Sequence, residues 1–338
     1  MPMQHTDVLL VGAGPIGLEM AVALKRAGVD YLHIEAEMIG RTIHKLWPRH
    51  TRFLSAPDEI AIAGVPAERP DQDRLLGEDY LSYLRNVAAM HELPIRCYER
   101  VDQLQALEDG FVAESQALDG RKSYRARKVI LATGDMARPH RLGVRGEDLP
   151  HVQHGFQDPH EYFGRRVLIV GGRNSAVEAA IRMARAGAEV AISYRREALP
   201  EKHLSHKLYP IVQPMIDKGR IRLHCPTLPV EIHPGRVLLR QIDETFDPVD
   251  QPPLEVAADH VVILIGYAAD VSLFRMAGVE FETPLSAPTY DPDTMETNVP
   301  GLYVAGTSAS GTQVGYAFFI ETAHVHVGRI LRSLQEKL

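Results

Sequence analysis

Two unbroken apolar runs, each closing on glycines and each followed by helix-spaced apolar positions, set the frame of the chain. Asp7 to Val11 (DVLLV) reads as a strand buried on both faces; Gly12-Ala13-Gly14-Pro15-Ile16-Gly17 follows, and Leu18 to Arg26 has helical spacing. Arg166 to Val170 repeats the grammar, with Gly171-Gly172-Arg173-Asn174-Ser175-Ala176 opening a helix to about Ala186 and Glu189 to Tyr194 forming the next strand. Between them, Asp79 to Glu92 carries Tyr80, Tyr83, Leu84, Val87 and Ala88 on one helical stripe. Alternating patterns predict short strands at Ile95–Tyr98, Val101–Leu107, Phe111–Ala117 and Arg121–Tyr124, with Asp109-Gly110 and Asp119-Gly120 as hairpin turns. Thr51–Leu54 is strand-like, and Val129–Ala132 is a buried strand ending in Thr133-Gly134. Pro139 to Gly164, rich in Pro, Gly, His and Asp, reads as a linker.

Beyond the second motif a helix is expected over His206–Gly219, then strands at Ile221–His224, Val230–His233, Arg236–Arg240 and Val261–Ile265, the last ending at Gly266-Tyr267. Gly301–Ala305 is a final strand, Gly306-Thr307-Ser308 a turn, and Gly311–Leu334 mostly helix. The fold class is α/β with two Rossmann-like dinucleotide-binding domains.

The glycine motifs carry the chemistry. Gly12 makes a tight turn, Gly14 lets backbone approach a pyrophosphate, and Gly17 lets helix and strand pack closely, with Pro15 beside them at the helix start. Free N–H groups there face phosphates with the helix dipole behind them. Glu35 lies eighteen residues after Gly17, where an acid accepts ribose hydroxyls. The second motif has Arg173 where G-x-G-x-x-A places its middle glycine, so a charge stands in for intimate backbone approach. Its strand ends in Arg195-Arg196 rather than an acid. Two arginines clamp a 2′-phosphate where an acid would repel it, so NADP(H) is read over NAD(H); the alternative is a solvated loop charge pair.

Composition adds exclusions. The 338 residues suffice for two cores, and the apolar (45%) and charged (24%) fractions are those of an ordinary globule. A net charge of -7 and a pI of about 6.1 argue against a nucleic-acid partner. Val8–Leu24 resembles a signal peptide in hydropathy but lacks a basic leader and holds three glycines, Pro15 and Glu19; no other run reaches membrane-span length. Cys97 and Cys225 give no disulfide framework or metal quartet, and a cytoplasmic protein is expected. His203-x-x-His206, His151-x-x-His154 and His324-x-His326 lack companion cysteines or carboxylates at metal spacing, so no metal is expected.

The order of parts resembles the two-dinucleotide flavoproteins of the thioredoxin-reductase type: the first glycine motif, Ala132-Thr133-Gly134, the second motif, Ile265-Gly266, and Asn298–Gly306 (NVPGLYVAG). Within that class the chain looks most like the YpdA-type bacillithiol disulfide reductases, on Val167–Ala180, Trp47-Pro48 through Val65-Pro66, Ile263–Tyr267 and Phe319–Glu321. The resemblance implies an FAD domain (1–145 and 282–338) split by an inserted NADPH domain (146–281), and a homodimer. It places Gly306-Thr307 at the flavin's ribityl chain, where the family usually has Gly-Asp. Thr312 and Gln313 would start the flavin-facing helix, with N–H groups toward the pyrimidine edge. His324 and His326 become candidate proton donors, and Trp47 either packs or lines the flavin or substrate.

The departures concern thiols. No cysteine lies in His151–Gly164, where thioredoxin reductases have C-x-x-C, or in Ala36–His50, where glutathione-reductase relatives place a pair. Ile16 holds the position of the YpdA-type cysteine. Cys97 and Cys225 read as small buried hydrophobes. The expected function is NADPH:acceptor oxidoreduction through FAD, with electrons passing directly to an external small disulfide, quinone or redox protein. Two alternatives stand beside it. A flavin monooxygenase is disfavoured because Pro150 holds the histidine position of F-x-G-x-x-x-H, and a non-enzymatic flavin- or nucleotide-bound sensor or scaffold would suit the missing thiols and the altered Gly306-Thr307.

Overall fold

The structure, a computed structural model, describes residues 3–69, 71, 73–282, 287–312 and 318–338. The chain divides into two compact units, Met1–Arg138 with Tyr267–Leu338, and Pro139–Gly266. The division falls earlier than the expected boundaries at 145 and 281, and hydrophobic packing is the reason. Leu142, Val144, Leu149 and Val152 pack on the core of the second unit. Ala269, Val271, Leu273 and Phe274 belong to the core of the first. The stretch 139–164 is therefore no linker: Phe156 and Tyr162 are buried in it, and Val152–Gln153 forms a short strand.

The first unit opens with β1 (Gln4–Val11), α1 (Pro15–Arg26) and β2 (Tyr31–Ile34), followed by α2 (Arg41–Leu46), α3 (Gly77–Met90) and β3 (Ile95–Arg96). A meander of β4 (Arg100–Leu107), β5 (Gly110–Ala117) and β6 (Gly120–Leu131) follows. All share one sheet in the order β3-β2-β1-β6-β5-β4, and Leu302–Val304 pairs with β6. β1 runs parallel to β2 and β6, with Val11 opposite both Ile34 and Leu131, so three strand ends converge at the first glycine motif.

The expected strands Arg121–Tyr124 and Val129–Ala132 are one strand, β6. Its first half is covered on one face only, so Tyr124 and Ala126 are buried while Arg121 and Arg127 are exposed. That alternation hides its continuity with the fully buried Val129-Ile130-Leu131. Thr51–Leu54 forms no strand beyond a bridge between Arg52 and Leu76. The C-terminal helix is Ile320–Lys337, with Gly311, Thr312, Phe318 and Phe319 outside any α-helix; Thr322 Oγ1 caps it by accepting the Phe319 N–H at 3.0 Å. Ala323, His326, Val327, Ile330 and Leu334 make its buried stripe.

The second unit has a parallel sheet in the order Ile221–His224, Glu189–Ser193, Arg166–Val170, His260–Ile263, Val152–Gln153. α4 (Asn174–Arg185) crosses over after Arg166–Val170 and buries Ala176, Val177, Ala180, Ile181 and Ala184. A small antiparallel sheet of Thr227–His233, Arg236–Gln241 and Leu254–Ala257 is inserted ahead of His260–Ile263. Its last strand escapes the sequence pattern because only Val256 is buried.

Candidate functional sites

At the first motif the glycines are demanded by contact. A Cβ on Gly12, which has φ 107°, would lie 2.4 Å from the Ala132 carbonyl oxygen, and one on Gly17 would lie 2.0 Å from the Gly12 oxygen. Neither fits without moving backbone. Gly14 is different: its Cβ would meet nothing within 4 Å, which leaves the head of α1 bare. Pro15 occupies the first turn, where its missing N–H costs nothing. The Glu35 carboxylate is buried beside this loop and accepts the Ala13 N–H at 2.7 Å and the Glu37 N–H at 2.9 Å, one on each oxygen. Each oxygen keeps a lone pair for a further donor.

The sheet brings the other predicted residues to the same place. Ala132 donates its N–H to the Val11 carbonyl at 2.8 Å, which sets Ala132-Thr133-Gly134 alongside Gly12. A Cβ on Gly134 would lie 3.8 Å from Thr307 Oγ1, and one on Gly306 would lie 3.4 Å from the Cβ of Ile16. Gly12–Gly17, Ala132–Gly134 and Gly306-Thr307 thus form one cluster at the ends of β1, β6 and Leu302–Val304, with Ile16 buried inside it.

Two histidines hold this cluster from behind. His33 donates from Nε2 to the Gly12 carbonyl at 2.9 Å, and burial pushes its pKa down to about 4. His326 accepts the Gly306 N–H on Nδ1 at 3.1 Å; burial and then Arg329 bring it to about 4. His326, a candidate proton donor by sequence, is fully buried here and holds the Gly306 turn. Sequence reasoning missed His33, whose one signal is its place in the apolar run leading to Glu35.

His324 lies elsewhere on the helix, its Nδ1 2.7 Å from Glu19 Oε2 and its Nε2 3.2 Å from the Glu59 carbonyl. The hydrogen bond to Glu19 raises its pKa, and Ser55 bonds Glu321 nearby, so this end of the helix is clipped to α1 and residues 55–59. Trp47 packs on Phe53 at 4.4 Å between ring centroids, and Phe53 on Tyr80 at 4.7 Å. Of its two expected roles, packing is the one its contacts display. Thr312 Oγ1 accepts the Ala269 N–H at 3.2 Å. Gln313 lies outside the described residues.

The second motif is built equally closely. A Cβ on Gly171, at φ 134°, would lie 2.3 Å from the Leu264 oxygen, and one on Gly172 would lie 2.5 Å from the Tyr194 ring. Ala176 is buried against Gly171, and Gly266 takes φ 96° at the end of the neighbouring strand. Arg173 is the exposed N-cap of α4, and Ser175 is exposed beside it. Asn174 Oδ1 accepts the Ser205 N–H at 2.8 Å, which fastens the following loop to the motif. Arg195 and Arg196 are exposed at the strand end. Among the described residues no group of His, Cys, Asp or Glu is arranged to hold a metal.

The two thiols lie one in each unit. Cys97 follows β3 near Glu35, and burial and that carboxylate raise its pKa. Cys225 precedes Pro226 in the second unit, and burial pushes it up to about 11. Both are half-buried and reduced.

These loops, strands and acid define a flavoprotein with two dinucleotide sites, and their fit is read from the bare Gly14 backbone, the spare lone pairs of Glu35 and the closely packed second glycine turn. The chain belongs to the pyridine nucleotide-disulphide oxidoreductase family, whose pattern it matches over residues 9–306. It is 30% identical over 337 residues to the bacilliredoxin reductase Bdr of Bacillus subtilis, covering 99% of each chain. It is 28% identical over 304 residues to a ferredoxin–NADP reductase of Ignicoccus hospitalis, covering 89% of each. Among solved structures, the bacillithiol disulfide reductase Bdr (YpdA) from Bacillus cereus superposes with a TM-score of 0.92 at 28% identity, over 99% of this chain and 100% of that one. The chain is therefore an oxidoreductase with FAD and NADPH as cofactors, of YpdA type. Among the described residues no helix is long and apolar enough to cross a membrane.

Proposed function

We propose that the chain is an FAD-dependent NADPH oxidoreductase that passes electrons directly to an external acceptor, a low-molecular-weight disulfide, a quinone or a redox protein, without a thiol relay of its own. The observation that carries the reading is Ile16, buried against Gly306 where the YpdA-type proteins place their cysteine. An alkyl side chain there forms no mixed disulfide. When bound, FAD accepts hydride from NADPH and yields electrons to a second substrate. The chain's own part is to hold and orient. The bare N–H groups at Gly14 and the head of α1 receive a pyrophosphate, and Glu35 takes ribose hydroxyls on its spare lone pairs. Thr133, Gly134 and Thr307 line the same cluster, with the Thr307 hydroxyl supplying a neutral hydrogen bond where the family usually has an acid.

In the second unit, Gly171 and Gly172 with Arg173, Asn174 and Ser175 receive the pyrophosphate of NADPH, and Arg195 and Arg196 its 2′-phosphate. Neither arginine makes an ion pair with a carboxylate among the described residues, so two adjacent cations stand open to an anion. The relatives' names give three acceptors, bacillithiol disulfide, bacilliredoxin and ferredoxin, and these belong to the small-disulfide and redox-protein classes named above. Two free thiols in a reductase go with a cytoplasmic setting, and the homodimer is tested by light scattering.

The deciding experiment reduces the flavin anaerobically with NADPH and then offers bacillithiol disulfide, a quinone or ferredoxin while flavin absorbance is followed. Reoxidation by one class, unchanged in Cys97→Ala and Cys225→Ala, is the expected result. Loss of turnover in either cysteine variant would overturn the direct route.

A further inference from the structure

The loop between strands Arg236–Gln241 and Leu254–Ala257 does something the glycine motif does not require. It carries Phe246 to the two arginines at the end of Glu189–Ser193. The guanidinium carbon of Arg195 lies 5.4 Å from the centroid of this ring, and that of Arg196 lies 5.1 Å from it. Both fall within cation–π range of a single phenyl group. Like charges on adjacent residues repel, and no carboxylate among the described residues pairs with either one. The ring is the contact that gathers them.

The loop is built to present that ring. Asp243 Oδ1 accepts the Thr245 N–H at 2.9 Å, the Thr245 hydroxyl at 2.7 Å and the Asp247 N–H at 2.9 Å, and the Asp243 N–H donates to the Asp247 carbonyl at 3.0 Å. This closed turn forces Phe246 to φ 70°, a conformation that a bulky side chain rarely adopts. Phe246 is also 38% exposed, so burial does not explain an aromatic residue held at that cost.

We propose that Phe246 is a positioning residue for the 2′-phosphate of NADPH and thereby sets the choice between the two nicotinamide nucleotides. A cation–π contact spends none of a guanidinium's N–H donors on an acceptor. A phosphate can take those donors while the contact with the ring persists. The ring removes most of the freedom of two long side chains before the nucleotide arrives, so less entropy is lost on binding. NADH, which has no 2′-phosphate, gains nothing from the arrangement. The inference rests on the assignment of Arg195 and Arg196 to that phosphate.

The test uses the FAD-loaded enzyme and anaerobic flavin reduction by NADPH and by NADH. Phe246→Leu removes the aromatic face while keeping an apolar side chain, and Phe246→Tyr restores it. The expected result is an NADPH KM raised roughly three- to tenfold in Phe246→Leu, with kcat and the NADH parameters unchanged, and return toward wild type in Phe246→Tyr. Inhibition by 2′,5′-ADP should weaken by the same factor in Phe246→Leu, and inhibition by 5′-ADP should not change. Equal losses for both nucleotides in Phe246→Leu, or no loss, overturn the inference, as does an equal defect in Phe246→Tyr. The double variant Arg195→Ala, Arg196→Ala separates the two levels. If it alone loses NADPH preference, the phosphate site stands and Phe246 is dispensable; if it too keeps that preference, the assignment of the arginines fails as well.

Discussion

His33 makes the stability of the first unit sensitive to mild acid. Its Nε2–H is given to the Gly12 carbonyl at 2.9 Å, and its Nδ1 is buried without a partner among the described residues. Protonation would place a charge and an unsatisfied N–H there, which is why burial holds the pKa at about 4 against an ordinary 6.5. The unfolded chain therefore binds a proton that the folded chain refuses between those values. Stability is fully present above pH 6.5 and is lost as pH falls toward 4, by about 1.4 kcal/mol per pH unit and about 3 kcal/mol in all. His326, also at about 4, adds a contribution of the same sign, whereas His324, whose pKa Glu19 raises, adds the opposite one. His33→Gln keeps a donor for Gly12 and cannot titrate, so it should remove about half of the two-histidine slope. Urea unfolding followed by fluorescence of Trp47, the one tryptophan and a residue of this unit, measures it at pH 7.5, 6 and 5. A variant that loses stability as steeply as wild type would refute the reasoning.

Three further outcomes are expected. Glu35→Lys should lower the FAD content of purified protein, because a cation replaces the acceptor of the Ala13 N–H and the ribose acid together; an unchanged flavin spectrum would remove Glu35 from the site. Arg195→Ala with Arg196→Ala should raise the NADPH KM tenfold or more and spare NADH, since charge-assisted contacts are worth roughly 1.5–3 kcal/mol each; equal losses for both nucleotides would contradict this. Ile16→Cys should gain, or at least not lose, disulfide reductase activity, and a drop with FAD still bound would show that a thiol there does not help.

The sheet of the first unit was legible wherever both faces are covered. Val8–Val11 and Val129–Leu131 are continuous apolar runs because helices and strands bury them from both sides. Strands covered on one face read less well. The first half of β6 looked like a separate hairpin arm, and Leu254–Ala257 left no pattern at all. The end of the chain misled for another reason. Apolar spacing from Gly311 onward suggests helix, but the cap that starts it is Thr322 reaching back to Phe319, a polar contact that hydropathy does not register. The stretch 139–164 misled through composition, since prolines and glycines there break secondary structure without keeping Leu142, Val144 and Phe156 out of a core.

Within the sites the glycines were the readable part, because each answers to a backbone contact that excludes any side chain. Histidine is readable only as a possibility, since its role depends on which nitrogen bears the proton, and that is settled by its partner. His33 faces a carbonyl and must donate from Nε2; His326 faces an N–H and must accept on Nδ1. Both requirements leave the proton on Nε2, and neither site accommodates a second proton on Nδ1. For His326 a second proton would fall on the nitrogen that accepts the Gly306 N–H; for His33 it would fall on a buried Nδ1 with no acceptor in reach. The two loops that enclose Ile16 are thus each backed by an imidazole that works only when neutral. Burial and backbone partners give both histidines a structural task. They fix the Gly12 and Gly306 turns.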